Sequence, residues 1–358
     1  MQTGIIGLRC AGKTTVFRIL TGTRGTSSTA QDDTHIGVAT VPDARLERLA
    51  SLFRPRRITH ATLEVLDVAA LAGEGGRDTA LLARLREVDA ILHVVRAFDN
   101  PACPPPDGRV HPREDMATVE LDLLLNDLDQ AERRLERIEK ELKKRRDARL
   151  ETERNLLQRC VEALGAQRPL RELDVSPEEE KILAGFGFLS RRPLLYVVNL
   201  DDRYAPEMER ALTDFGLAPQ TPPVRTALVP LCGRIEAELA ELTEPEAAEL
   251  MGIYGLVESG RSRLLRTLYE LLGLISFFTV GEKECRAWTI RRGTRAAEAA
   301  GVIHSDFERG FIRAEVIGWQ ELLAAGSWAA AREAGQVRLQ GRDYVVQDGD
   351  VLLIRHSS

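Results

Sequence analysis

The stretch that most constrains this chain is its first fifteen residues, MQTGIIGLRCAGKTT. Gly4, Ile5 and Ile6 read as a short buried strand, and the run from Thr15 to Leu20 opens a helix with one apolar face. Between them, Gly7-Leu8-Arg9-Cys10-Ala11-Gly12-Lys13-Thr14 fits G-x-x-x-x-G-K-[ST]. Strand, glycine loop and helix N-terminus come in the order that a phosphate cradle needs. Backbone N–H groups from Gly7 to Thr15 and the helix dipole suit anionic phosphates. Lys13 is placed to reach β/γ-phosphates, and Thr14 to ligate Mg²⁺.

The chain beyond the cradle reads as an α/β domain built on it. Residues 21–37 are polar and rich in Gly, Ser and Thr, and read either as a nucleotide switch or as a plain surface loop. A strand over residues 36–41 leads to an amphipathic helix with Leu46, Leu49, Leu52 and Phe53 on one face. Residues 62–68 form a core strand carrying Asp67 near its carboxyl end, where a Mg²⁺-coordinating carboxylate belongs beside a P-loop strand. A glycine-rich loop (71–76), a helix (79–87) and a strand (90–95) come next; His93 in that strand reads as a core histidine. Residues 193–199 are another core strand, followed by Asn199-Leu200-Asp201-Asp202. A strand over 226–231 ends at Cys232-Gly233, and both strand ends are expected to approach a nucleotide base.

Two segments fall outside this pattern. Residues 99–113 hold five prolines and form a stiff connection. Beyond them Leu121, Leu124, Leu128, Ala131, Leu135, Ile138 and Leu142 alternate spacings of three and four. That is a heptad seam on the order of 35 Å long. Lys143-Lys144-Arg145-Arg146 interrupts it, and Leu150, Leu156, Leu157, Val161 and Leu164 offer a returning face. The pattern predicts an antiparallel coiled-coil hairpin over residues 114–192, inserted into the α/β domain (1–113 and 193–275), with a basic tip suited to phosphate-backbone contact. Residues 276–358 alternate short strands and helices and read as a small α+β domain; Asp348-Gly349-Asp350 between apolar runs signals a hairpin. From residue 274 onward there are eleven Lys/Arg and eleven Asp/Glu, so charge alone assigns this domain no nucleic acid.

The net charge of −6 argues against a basic nucleic-acid coat, and no DNA sequence specificity is expected. Cys10, Cys103, Cys160, Cys232 and Cys285 are scattered and show no metal spacing, so reduced thiols in a cytoplasmic protein are expected. Cys10 lies at a helix N-terminus, which lowers thiol pKa values; it reads either as an oxidisable thiol or as a small residue packed under the loop. No apolar run approaches the ~20 residues that span a bilayer, and the P-loop strand at the amino terminus leaves no space for a signal peptide, so no membrane partner is expected.

Together these pieces resemble the YchF family of Obg-like P-loop proteins, the ribosome-binding ATPases. The resemblance covers essentially the whole chain. It is most specific in KECRAWTIRRGTRAAEAAGVIHSDFERGFIRAEVI and GRDYVVQDGDVL, which are similar to that family's TGS domain, a β-grasp unit. VDAILHVVRAFDNP and LDLLLNDLDQAERRLERIEK match as closely. The resemblance implies a slow Mg²⁺-dependent nucleotide hydrolase that meets the ribosome or ribosomal RNA through the coiled-coil tip and the TGS-like domain.

This chain departs from the family at its chemistry. The family's P-loop reads GLPNVGKST, and Arg9 and Cys10 replace its Pro and Asn. Its second phosphate motif, Asp-x-x-Gly-Leu, becomes Asp67-Val68-Ala69-Ala70-Leu71, with Ala70 at the glycine that meets the γ-phosphate. Leu71 keeps the hydrophobic residue that stands where Ras-like proteins carry a glutamine. The family's switch threonine aligns near Gln31, between Thr29 and Thr34. Its loop histidine aligns with Pro105, leaving His111 as the nearest candidate base. The family's Asn-x-x-Glu goes with ATP; here Leu200 replaces the lysine of the GTPase motif and Asp202 the glutamate, so ATP is favoured and GTP stays open. Two classes remain: a weak P-loop ATPase (or GTPase), and an adaptor that binds ATP or GTP without turning it over.

Overall fold

The computed structural model describes residues 1–22, 34–68, 79–105, 108–217 and 224–357. The described strands are β1 (Gln2–Ile6), β2 (Thr34–Val41), β3 (Arg57–Thr59), β4 (Ala61–Val68), β5 (Ala90–Ala97), β6 (Leu194–Leu200), β7 (Thr226–Leu231), β8 (Leu274–Val280), β9 (Glu284–Arg291), β10 (Phe311–Gly318), β11 (Arg338–Gln340) and β12 (Asp350–His356). They belong to two compact units: residues 1–37 with 64–264, and 38–63 with 265–358.

The first unit is built on a sheet of order β2-β4-β1-β5-β6-β7. The pairs β1/β4, β1/β5, β5/β6 and β6/β7 are parallel. A parallel sheet covered on both faces needs unbroken apolar strands, and β5 (AILHVVRA) is buried along its whole length. His93 packs against Tyr196 with the rings tilted at 50° and their centroids 5.4 Å apart, and burial pushes its pKa down to about 3, so it is a neutral core residue. Because β1 lies between β4 and β5, their connections diverge at its carboxyl end, where such sheets bind ligands. Helix α1 (Lys13–Thr21) follows β1 directly, α2 (Ala44–Phe53) follows β2, and α3 (Thr79–Leu85) precedes β5.

Between β5 and β6 the chain runs into α4 (Pro112–Leu142) and back through α5 (Ala148–Gly165). Pro112 at the first helical position and Asp147, which accepts from Arg149 N and Leu150 N, mark the two helix starts. Leu124, Ala131 and Ile138 bury against Leu156, Leu157, Cys160 and Leu164. Arg134 and Glu153 pair across the helices at 2.7 Å. Leu121, expected in the seam, is 40% exposed, so the packed stripe begins at Leu124. The base of the pair is tied down by buried Asp127, which accepts from Leu189 N (2.9 Å) and Ser190 N (2.7 Å). Glu120 adds a second tie by accepting from Tyr196 of β6 (2.9 Å) and from Arg171.

The second unit holds a mixed sheet of order β11-β10-β12-β8-β9-β3. β8 and β9 form an antiparallel hairpin, while β12 runs parallel to β8. Helix Ala296–Ile303 covers a core that includes Phe277, Ile290, Phe311 and Val316. The expected hairpin at Asp348-Gly349-Asp350 does not form. Val345 instead makes an isolated bridge to Arg295, and Asp350 turns back to accept from Gln347 N and Tyr344 Oη. The helical pair belongs to the first unit, and residues 38–63 join the second because β3 extends its sheet beside β9. Among the described residues no helix is long and apolar enough to cross a membrane.

Candidate functional site

The loop after β1 has the backbone that its glycines require. Gly7 (φ 151°), Cys10 (φ 61°) and Gly12 (φ 99°) all have positive φ. A Cβ on Gly7 would lie 2.4 Å from Val94 O, and one on Gly12 would lie 2.3 Å from Asn199 Nδ2. Neither position tolerates a side chain. Gly12 precedes α1 without a capping side chain, and the first turn carries no acidic residue. Ala11 is buried beneath the turn, whereas Arg9 is exposed.

Lys13 Nζ donates to Gly7 O (3.1 Å) and Leu8 O (3.0 Å), which folds the ammonium over the loop. Burial lowers its pKa, and the Asp67 charge opposes that shift. Asp67 is buried at the end of β4, one strand away, because Ile5 and Asp67 are register partners. Burial raises its pKa, against the Lys13 charge and a hydrogen bond from the Thr14 hydroxyl. Hydroxyl and carboxylate are thus in contact, a hard-oxygen pair at the helix start. Among the described residues no cluster of three or more His, Cys, Asp or Glu side chains is arranged for a metal. The Thr14–Asp67 pair suits Mg²⁺, which takes one or two protein oxygens and fills its octahedron with water and phosphate oxygens.

A cleft of about 590 Å³ opens beside the loop. Cys10, Gly12, Thr15, Asn199, Leu200, Asp202 and Gly233 line it. Asn199 is buried, and both ends of its amide are engaged: Nδ2 donates to Ala11 O (3.1 Å) and Oδ1 accepts from Gly233 N (2.9 Å). It therefore braces the phosphate loop to the turn after β7. A Cβ on Gly233 would lie 2.7 Å from Asn199 Oδ1, so this turn also needs glycine. Cys232, expected to face the base, is buried instead; its thiol points to Asp201 O at 3.5 Å and burial pushes its pKa up to about 12. Phe98, Asp99, Asn100 and Arg234 also line the cleft. No motif marks them, but they follow β5 and β7, whose carboxyl ends flank the site.

The expectation that all five cysteines are reduced thiols is overturned. Cys10 and Cys103 are joined as a disulfide, with Cα atoms 6.6 Å apart, and only Cys160, Cys232 and Cys285 are free thiols, all buried. The partners are 93 residues apart in sequence. Parallel pairing of β1 with β5, Ile6 opposite His93, brings the loops after both strands to one edge. Arg96 holds the second loop in place by donating to Phe98 O (2.9 Å) and Cys103 O (2.8 Å). Cys10 is thus neither a free thiol nor an inert residue under the loop.

Thr29, Gln31, Ala70, Leu71 and the 71–76 loop lie outside the described residues, and Thr34 begins β2. His111 sits just before α4 without a side-chain capping hydrogen bond, and it is not among the residues lining the cleft. A second cleft, about 710 Å³, lies in the C-terminal unit, lined by residues that include His304, Phe307, Arg309 and His356. Among the described residues no glycine loop and no lysine border it, and Asp306 and Arg309 are among its lining residues.

The family model YchF-GTPase_C, described as a protein of unknown function, matches residues 274–357. The ribosome-binding ATPase YchF of Bacillus subtilis (strain 168) is 37% identical over 362 residues, covering 99% of this chain and 99% of that protein. Obg-like ATPase 1 of Oryza sativa subsp. japonica is 34% identical over 367 residues, covering 99% of this chain and 92% of that protein. Among solved structures, the Schizosaccharomyces pombe YchF GTPase superposes with a TM-score of 0.84 at 31% identity, covering 99% of this chain and 97% of that one.

Mass spectrometry of a non-reduced digest is expected to recover the peptides holding Cys10 and Cys103 as one cross-linked species that separates on reduction. Recovery of both as free thiols from protein kept under air would contradict the pairing.

Proposed function

Because the chain belongs to the YchF family, we propose that it is a cytoplasmic Obg-like protein that binds nucleotide, associates with the ribosome and hydrolyses ATP slowly with Mg²⁺. The observation that carries this reading is the placing of Lys13, Thr14 and Asp67 about a glycine loop beside an open cleft. The backbone N–H groups from Gly7 to Thr14 would hold the phosphates, and Lys13 would exchange its two loop carbonyls for phosphate oxygens. Thr14 and Asp67 would hold Mg²⁺, the carboxylate through water, and the ion would offset charge on the β- and γ-phosphates. Water attacks the γ-phosphorus in line, the bond to the β–γ bridging oxygen breaks, and ADP, phosphate and a proton leave. Leu200, where a GTPase carries lysine, supports ATP over GTP, while Asp202, the aspartate of the GTPase motif, leaves GTP open. The carboxylates lining the cleft (Asp99, Asp201 and Asp202) follow β5 and β6 rather than β1 or β4, which supports slow turnover.

A second reading is an adaptor that holds nucleotide without consuming it. Ala70, in place of the family's phosphate-sensing glycine, motivates it. Multiple turnovers of ATP that Lys13→Ala reduces at least ~100-fold are expected for the enzyme. Tight ATP binding with no product above the Lys13→Ala control would leave only the adaptor.

Ribosome contact is assigned to the tip between α4 and α5, where Lys143, Lys144, Arg145 and Arg146 are all exposed. The C-terminal unit is assigned the same role. Its β8–β9 hairpin, covering helix and parallel β12 support a TGS-like β-grasp. Replacing the four tip cations by alanine should weaken cosedimentation with ribosomes and flatten its salt dependence. Unchanged binding at every salt concentration would remove the tip from the interface.

A further inference from the structure

The far end of the cleft carries an ion pair that phosphate chemistry does not require. Asp202 follows β6, and Arg234 is the second residue of helix Gly233–Leu239 after β7. Arg234 Nε lies 3.0 Å from Asp202 Oδ2, and both residues line the cleft with Leu200 and Phe98. The Arg234 side chain is 87% exposed, against 23% for Asp202. An exposed pair of this kind contributes little to folding. A cation at the start of a helix also gains nothing from the helix dipole. Its partner there is the Asp202 carboxylate.

The pair changes what the cleft offers a purine. A lone carboxylate presents two acceptors side by side, and guanine presents two adjacent donors, N1–H and its 2-amino group. In this protein one carboxylate oxygen is engaged by Arg234, whose remaining N–H groups are donors. The edge becomes one acceptor beside one donor. Adenine has the matching edge, a 6-amino donor beside the N1 acceptor. Guanine set against it leaves a donor facing a donor, and a mismatched polar group in a desolvated site weakens binding.

We propose that Arg234 is a base-selecting residue: paired with Asp202, it turns an acceptor–acceptor edge that suits guanine into an acceptor–donor edge that suits adenine. The proposal rests on the reading of this cleft as the nucleotide site. It explains how an aspartate at a position that favours guanine coexists with ATP preference.

The test is calorimetric titration of nucleotide-stripped protein with ATP and with GTP, in Mg²⁺, for the wild type, Arg234→Ala and Arg234→Lys. Because Arg234 is exposed, its truncation leaves the core untouched, and matching circular dichroism melts verify this. The wild type is expected to bind ATP more tightly. Arg234→Ala should shift the GTP:ATP affinity ratio toward GTP by about tenfold, and Arg234→Lys, which retains a cationic donor, should keep the wild-type order. An unchanged ratio in Arg234→Ala, or a wild-type preference for GTP, overturns the proposal while leaving the nucleotide site standing. Failure of the wild type to bind either nucleotide overturns both.

Discussion

The site depends on the parallel pairing of β1 with β4 on one side and β5 on the other. Register partners Ile5↔Asp67 and Ile6↔His93 bring the carboxyl ends of β1 and β4 to one level, with β5 running on beside them to Ala97. That level sets the rest. Asp67 arrives beside Lys13 and Thr14, the loops carrying Cys10 and Cys103 meet, and β6 beyond β5 delivers Asn199 beneath the phosphate loop. A slip of one residue in β1 would turn its side chains to the opposite face and separate all three contacts together.

Within that frame the loop is held from two sides. Asn199 fixes Ala11 by a buried amide, and Cys103 fixes Cys10 covalently. The cradle is therefore braced before any ligand arrives, which lowers the ordering cost of binding. Lys13 is the part left to move. Its ammonium rests on two loop carbonyls in a partly buried place that lowers its pKa. Phosphate oxygens offer a stronger, charge-assisted partner, so binding replaces neutral acceptors by anionic ones without rebuilding the loop.

Much of this is legible in the sequence because it is local. The glycines, lysine and threonine of the P-loop lie within eight residues of one another, and Asp67 follows from its place at a strand end. The α4–α5 seam is legible from heptad spacing, apart from Leu121, where packing against α5 has yet to begin. The features that escape depend on strand order. The Cys10–Cys103 bond, the Phe98–Asn100 wall and the placement of Arg234 beside Asp202 all come from loops brought together by sheet neighbours. No spacing along the chain encodes those neighbours. The turn at Asp348-Gly349-Asp350 shows the same limit: its residues suit a hairpin, but β12 is already paired by β8 and β10. The same holds for residues 38–63, whose strand β3 joins the second unit through a partner more than 200 residues away (Arg57↔Glu284).

The decisive measurement is hydrogen–deuterium exchange with and without Mg²⁺-ATP, because it distinguishes the cleft beside the β1–α1 loop from the cleft at Ile303–Gly310. Slowed exchange is expected at the amides of Gly7–Thr15 and around Phe98–Cys103 and Gly233, with Ile303–Gly310 unchanged. Slowing confined to Ile303–Gly310, with the Gly7–Thr15 amides unaffected, would contradict the placement of the nucleotide at the β1–α1 loop.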